Sequence, residues 1–167
     1  LGLQFFAPTL GQAALSFGYG ISVSALQMAR AYATLANDGL LPRVSLLKAD
    51  NGMAPQRIMR RETAVTVRTM LEHVVSREGT ALRASVPGYR VAGKTGTVKK
   101  AAVTGGYTEG SYLSAFVGMA PASDPKLVMV VMIDEPNAGE YYGGSVAAPV
   151  FSKVMSGALR LMNIAPD

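Results

Sequence analysis

The spacing of apolar residues changes once along this chain, near residue 89. Ahead of that point it follows helices and their caps. Ala25, Met28, Ala29, Tyr32, Leu35 and Ala36 recur every three or four residues, as one face of a helix does. Ser24 and Gln27 have the spacing of a capping box, and Asn37-Asp38-Gly39 stops the run, so a helix is predicted over 23–37. Two short strands are predicted over 42–49 and 56–59, around an Asp50-Asn51-Gly52 turn. Ala64, Val67, Met70, Leu71, Val74 and Val75 then share a face over 62–77. The β-branched residues in that run favour a strand, but its length favours a helix. His73 falls off the apolar face and is assigned to solvent or to a cap, and 79–85 is read as a short helical turn. Residues 1–20 carry no period; they are aromatic and glycine-rich, ending Phe17-Gly18-Tyr19-Gly20.

From Tyr89 onward the period is two. Strands are predicted over 89–98, 111–120 and 126–134, with Thr104-Gly105-Gly106 and Pro121-Ala122-Ser123-Asp124-Pro125 in the connections. Connections this short suit an antiparallel meander and are too short for parallel crossovers. Glu140-Tyr141-Tyr142-Gly143-Gly144 reads as a loop. A closing helix over 145–162 follows, with Pro149 near its first turn and Val150, Phe151, Val154, Ala158, Leu159 and Met162 as its core-facing stripe. No repeat, low-complexity tract or interdomain linker interrupts the chain.

Composition narrows the function classes. With 167 residues, 49% of them apolar and 16% charged, the chain is long enough for one globular domain with its own core. No apolar run is long enough to span a bilayer. The chain opens Leu1-Gly2-Leu3-Gln4, without Met or a basic leader, as a piece of something longer would. The net charge of +5 is scattered, with pairs at Arg60-Arg61 and Lys99-Lys100 and no basic stripe with interleaved aromatics. That pattern argues against nucleic acid and for modest attraction to anions. Without cysteine there is no thiol catalysis, and a single histidine excludes a multi-histidine metal site.

The chemistry concentrates in Val91-Ala92-Gly93-Lys94-Thr95-Gly96-Thr97. A lysine beside two hydroxyls, on a glycine-rich strand that another backbone can approach, is a receptor for a carboxylate or a phosphate. The phosphate reading has letters in its favour. Gly88 to Thr95 fits the P-loop pattern, and 127–135 is an apolar strand ending in Asp134-Glu135. Its context is wrong. Ala84-Ser85-Val86-Pro87 is not a buried strand, and Gly96-Thr97-Val98 is a poor first helical turn, so the helix dipole that would hold phosphates is missing.

Read as a strand, Lys94-Thr95-Gly96 is the Lys-Thr-Gly motif of penicillin-recognising enzymes. The surroundings make the match specific: Gly18-Tyr19-Gly20-Ile21-Ser22-Val23, Ala36-Asn37-Asp38-Gly39, Phe116-Val117-Gly118-Met119-Ala120-Pro121-Ala122, Ile133-Asp134-Glu135-Pro136, Tyr141-Tyr142-Gly143-Gly144 and Ala147-Ala148-Pro149-Val150-Phe151. Over nearly its whole length the chain resembles the C-terminal part of a class B penicillin-binding protein, most like the division-specific peptidoglycan D,D-transpeptidase. The resemblance implies an α+β fold, an antiparallel sheet flanked by helices as in serine β-lactamases and penicillin-binding transpeptidases. It implies a serine acyl-enzyme on D-alanyl-D-alanine stem peptides, inhibition by β-lactams, and no metal or cofactor. Lys94 would be the catalytic cation. Thr95 and Thr97 would bind the substrate carboxylate, with the Thr97 N–H in the oxyanion hole and Gly96 keeping the edge open. Lys99 would add charge near the same carboxylate. Tyr19, Tyr112, Tyr141 and Tyr142 would form aromatic walls, and Gly143 and Gly144 would let their loop close over the cleft.

Two further motifs of that family, Ser-x-x-Lys and Ser-x-Asn, are expected outside this chain. No Ser-x-Asn occurs, and Ser45-Leu46-Leu47-Lys48 lies in a strand-like stretch that would turn Ser45 and Lys48 to opposite faces. Residues 1–167 are therefore read as the C-terminal part of a transpeptidase domain, inactive alone. The expected partners are the missing N-terminal part and divisome membrane proteins, at the periplasmic face of a bacterial inner membrane. A D,D-carboxypeptidase or β-lactamase of the same fold, a non-catalytic binding module and a P-loop ATPase are the competing readings.

Overall fold

A computed structural model of the chain describes residues 18, 21–45, 55–101, 106–137 and 139–167. The capping box forms as its spacing predicts. Ser24 Oγ accepts the Gln27 N–H at 3.2 Å, and Gln27 Oε1 accepts the Ser24 N–H at 2.8 Å. Helix α1, Ala25–Ala36, starts there. Strands β1, Leu40–Leu41, and β2, Gln56–Arg57, pair antiparallel. The first of them lies earlier than predicted. Residues 42–45 are irregular, because Pro42 has no N–H with which to extend a ladder. The rest of that stretch, with Lys48 and the Asp50-Asn51-Gly52 turn, lies outside the described residues.

Helix α2, Arg61–His73, ends four residues before the predicted limit. The Val74 carbonyl accepts the Ala81 N–H at 2.9 Å, which turns the chain toward a 3-10 turn at Leu82–Ala84. The predicted apolar face of α2 holds only in part. Ala64 is buried, and Leu71, Val74 and Val75 pack on the core, but Met70 is 63% exposed. Arg68 takes an inward place instead. Its guanidinium donates to the Leu35 carbonyl and to Asp38 Oδ1, both at 3.1 Å, covering the C-terminal end of α1. His73 is exposed, with Nδ1 2.9 Å from the Thr69 carbonyl one turn back.

Strands β3, Ala92–Ala101, β4, Tyr107–Ala120, and β5, Leu127–Asp134, form the predicted antiparallel meander in the order β3-β4-β5. Strand alternation sends side chains to two separate cores. On one face Phe116 meets Phe151 edge-to-face, with ring centroids 4.8 Å apart, under helix α3, Gly143–Leu161. On the other, Ala92 and Met119 pack against Tyr32 and Leu35 of α1 and Leu71 of α2. The result is three layers: α3, the sheet, then α1 with α2.

α3 differs from expectation in two ways. It starts at Gly143, not Ser145, so the glycine pair is helical. Its buried stripe is Ala147, Ala148, Phe151, Met155 and Leu159, whereas Val150, Val154 and Met162 are 40%, 52% and 56% exposed. Steps of four carry the stripe from Phe151 through Met155 to Leu159, and Val150 and Val154 stand about 100° behind it. The residues after α3 fold back onto the segment ahead of β3 and the β4–β5 connection. Tyr89 Oη donates to the Ile164 carbonyl at 2.6 Å, and the Asp167 carboxylate accepts the Arg90 N–H at 2.7 Å. These contacts anchor the segment that leads into β3.

Candidate active site

Among the described residues β3 is paired on one side only, by β4, so its other edge is open. The register assigns its side chains. Thr95 lies opposite Phe116 and Thr97 opposite Ser114, which puts both threonines on the α3 face. Lys94 and Gly96 lie opposite Val117 and Ala115, on the other face. The Lys94 ammonium nonetheless curls along the strand, donating to the Thr95 carbonyl at 3.1 Å and standing 3.4 Å from Thr95 Oγ1. Among the described residues neither Lys94 nor Lys99 has a carboxylate partner, while Lys100 is held by Asp134 and Glu135 at 3.0 and 2.9 Å. An ammonium without a counter-charge beside a hydroxyl is an anion receptor. Because Lys94 and Thr95 sit inside a strand, the helix start that a phosphate cradle needs is not there, and the P-loop reading loses its scaffold.

The α3 face of β3 opens into a cleft of about 550 Å³, lined by Thr80, Arg83, Thr95, Thr97, Tyr142, Gly143, Gly144 and Ser145. Thr80 Oγ1 and Thr95 Oγ1 are hydrogen-bonded at 3.1 Å. The Gly143 N–H donates to Thr97 Oγ1 at 3.0 Å, which occupies an acceptor site on that hydroxyl and leaves its proton to donate into the cleft.

The sequence reads Gly143-Gly144 as a loop that closes over the cleft; in the structure the pair lies in the first turn of α3 and is closely packed. A Cβ on Gly143 would stand 2.3 Å from the Ala115 carbonyl oxygen and 2.6 Å from that of Gly96. A Cβ on Gly144 would stand 2.1 Å from the Thr80 carbonyl oxygen. Only hydrogen-sized side chains let the first turn of α3 lie this close to β3, β4 and the turn at Thr80.

Three tyrosines form one aromatic stack. Tyr112 and Tyr141 are parallel within 12° at 4.0 Å, and Tyr142 leans on Tyr141 at 4.5 Å with the hydroxyls 3.3 Å apart. The Tyr141 hydroxyl beside it pushes the Tyr142 phenol up from its ordinary value. Ser114 Oγ donates to the Tyr141 carbonyl and ties the stack to β4. Tyr142 is 61% exposed and lines the cleft, so it has surface to offer a ligand and little core to support. On the penicillin-recognising reading of the sequence, Tyr142→Ala in the full-length protein is expected to weaken β-lactam binding several-fold while lowering the melting temperature by about 1 °C or less. Paired binding and melting curves check this, and the reverse order of effects would make Tyr142 structural.

Of the residues picked out in the sequence, the structure gathers Thr95, Thr97, Tyr142, Gly143 and Gly144 around one cleft. Lys94 and Gly96 lie on the strand beside it, Tyr141 and Tyr112 back Tyr142, and Lys99 is exposed farther along the threonine face. Tyr19 lies outside the described residues. Thr80, Arg83 and Ser145 line the cleft without having been foreseen. They come from a turn and a helix start whose only sequence signals are local.

The family of penicillin-binding protein transpeptidase domains matches residues 2–156. The chain is 48% identical over 158 residues to a probable peptidoglycan D,D-transpeptidase, PbpC, of Pseudomonas aeruginosa, covering 95% of this chain and 28% of that protein. It is 44% identical over 156 residues to the peptidoglycan D,D-transpeptidase FtsI of Escherichia coli, covering 93% of this chain and 26% of that one. The apo transpeptidase domain of penicillin-binding protein 3 from Burkholderia pseudomallei superimposes with a TM-score of 0.86 at 47% identity, over 95% of this chain and 48% of that one. The chain thus spans about a quarter of the length of the two relatives and about half of the solved domain. The family match over nearly all of the chain, the superposition and the Lys-Thr-Gly strand beside its cleft lead to one conclusion: the chain belongs to the penicillin-binding protein transpeptidase-domain family.

Proposed function

We propose that this chain is the C-terminal part of a peptidoglycan D,D-transpeptidase that cross-links stem peptides at the division septum. The observation that carries the reading is the Lys94 ammonium on an open strand edge, against Thr95 and beside a cleft lined by the Thr95 and Thr97 hydroxyls. A serine from the N-terminal part of the protein, outside this chain, attacks the carbonyl between the two D-alanines. Its C–O bond forms, the peptide C–N bond breaks, and D-alanine leaves with a proton. An amine from a second stem peptide then attacks the ester and frees the serine.

Each residue has a part in these steps. The Lys94 ammonium provides positive potential at the substrate and helps proton transfer at the Ser-x-Asn serine, which lies outside this chain. Thr95 and Thr97 donate hydroxyl protons to the terminal carboxylate, and Lys99 adds charge on the same strand face. N–H and C=O groups of alternate strand residues point the same way. The Thr95 carbonyl is taken by Lys94 Nζ, so the Thr97 N–H turns toward the open edge, where an oxyanion can form. Tyr142, stacked on Tyr141 and Tyr112, gives the apolar part of an acyl group a wall. The setting is the periplasmic face of the inner membrane, with divisome membrane proteins as partners. A β-lactam occupies the same groups and leaves a stable ester.

Intact-mass spectrometry of the full-length protein with benzylpenicillin tests the reading. One drug mass is expected on a serine outside residues 1–167, with cross-linked dimers formed from a stem-peptide donor. An adduct on a serine of this chain, or none, overturns it.

A further inference from the structure

The cleft holds one cation that the mechanism does not use. Arg83 lies in the 3-10 turn and lines the same cavity as Thr80, Thr95 and Thr97. A proline leaves it a partner. Pro149 has no N–H to donate to the Ser145 carbonyl four residues back, and Arg83 Nη1 reaches that carbonyl at 3.4 Å. The guanidinium is otherwise paired only loosely among the described residues. Glu140 stands 3.6 Å away, and the two side chains are 61% and 55% exposed. Such a pair is weak and easily exchanged, and most of the five guanidinium N–H groups remain for a ligand.

We propose that Arg83 is a specificity residue for the anionic end of the acyl donor, with Glu140 as an internal carboxylate that the donor's own carboxylate displaces. The proposal rests on the transpeptidase reading. Thr80, Thr95 and Thr97 then give hydroxyl contacts, and Arg83 gives the fork of charge-assisted donors that suits a carboxylate. The Lys94 ammonium comes to Thr95 along β3 and Arg83 comes to the cleft from the 3-10 turn, so the anion is met by cations from two separate elements. A neutral donor of the same shape gains nothing from Arg83.

The test compares acylation of the full-length protein by benzylpenicillin and by its methyl ester, which lacks the anion. Arg83→Gln is expected to lower the acid-over-ester ratio of acylation rate constants about tenfold, with Arg83→Lys recovering about half of the loss on a logarithmic scale. Glu140→Gln is expected to raise the same ratio about two- to threefold, since the competing carboxylate is gone. Equal losses on acid and ester would make Arg83 structural and overturn the proposal, as would an unchanged ratio in Arg83→Gln or a fall in Glu140→Gln. Failure of the wild-type protein to acylate with either compound would instead remove the transpeptidase reading, and the proposal with it.

Discussion

Replacing Lys94 by alanine is expected to slow acylation of the full-length protein by benzylpenicillin about a thousandfold, which is about 4 kcal/mol of transition-state stabilisation. The size follows from where the charge lies. Lys94 has no carboxylate partner among the described residues, so its field is not spent on an ion pair. Its ammonium contacts Thr95, whose carbonyl belongs to the open edge where the reaction is placed. The same exposure makes the stability cost small. An exposed side chain with no buried contacts is worth about 0.5 kcal/mol or less, so the melting temperature should hold. A stopped-flow acylation rate beside a melting curve separates the two effects. Acylation at the wild-type rate would mean that the cation of this site is another residue.

Gly143→Ala is expected to cost about 2–3 kcal/mol of stability and about tenfold or more in acylation rate. Two effects oppose each other. Alanine favours a helix over glycine by about 1 kcal/mol. Against this, its Cβ would press into the carbonyl oxygens of Ala115 and Gly96, which are backbone atoms of two strands and cannot rotate aside. The first turn of α3 must lift from the sheet. That breaks the bond from the Gly143 N–H to Thr97 Oγ1, and the hydroxyl loses the partner that aims it. Gly157→Ala is the control. It lies in the same helix with nothing within 4 Å of its Cβ, so alanine there should be neutral or stabilising by up to about 1 kcal/mol. If the two variants melt alike, the close approach of α3 to β3 and β4 is not what sets the cleft.

The comparison of these glycines shows how far a sequence can be read. Gly143 and Gly157 are both helical, yet a Cβ at the first would meet two strands and a Cβ at the second would meet open space. No local rule separates them. Glycine has a high intrinsic cost in a helix, and at Gly143-Gly144 tertiary packing overrides it. The predicted stripe on α3 holds at Phe151 and Leu159 and not at Val150, Val154 and Met162, for a related reason. A run in which Val150, Phe151, Val154, Met155 and Leu159 are all apolar admits two faces, and only the sheet beneath decides between them. Arg68 was missed because a buried arginine looks polar in a pattern of hydrophobicity. Its place depends on the carbonyls at the end of α1, more than thirty residues away.

What the sequence determined by itself are the features carried by neighbouring residues. The Ser24–Gln27 box, the three alternating strands with their short connections, and the Lys94-Thr95-Gly96-Thr97 strand all follow from spacing and local sterics, and those persist in any fold that accepts them. What only the tertiary structure decided are the contacts between distant segments: Thr80 on Thr95, Gly143 on Thr97, Arg83 at the carbonyl left open by Pro149. These depend on how closely a turn and a helix end approach one strand. That distance is set by close packing of the whole core, which no window of the sequence contains.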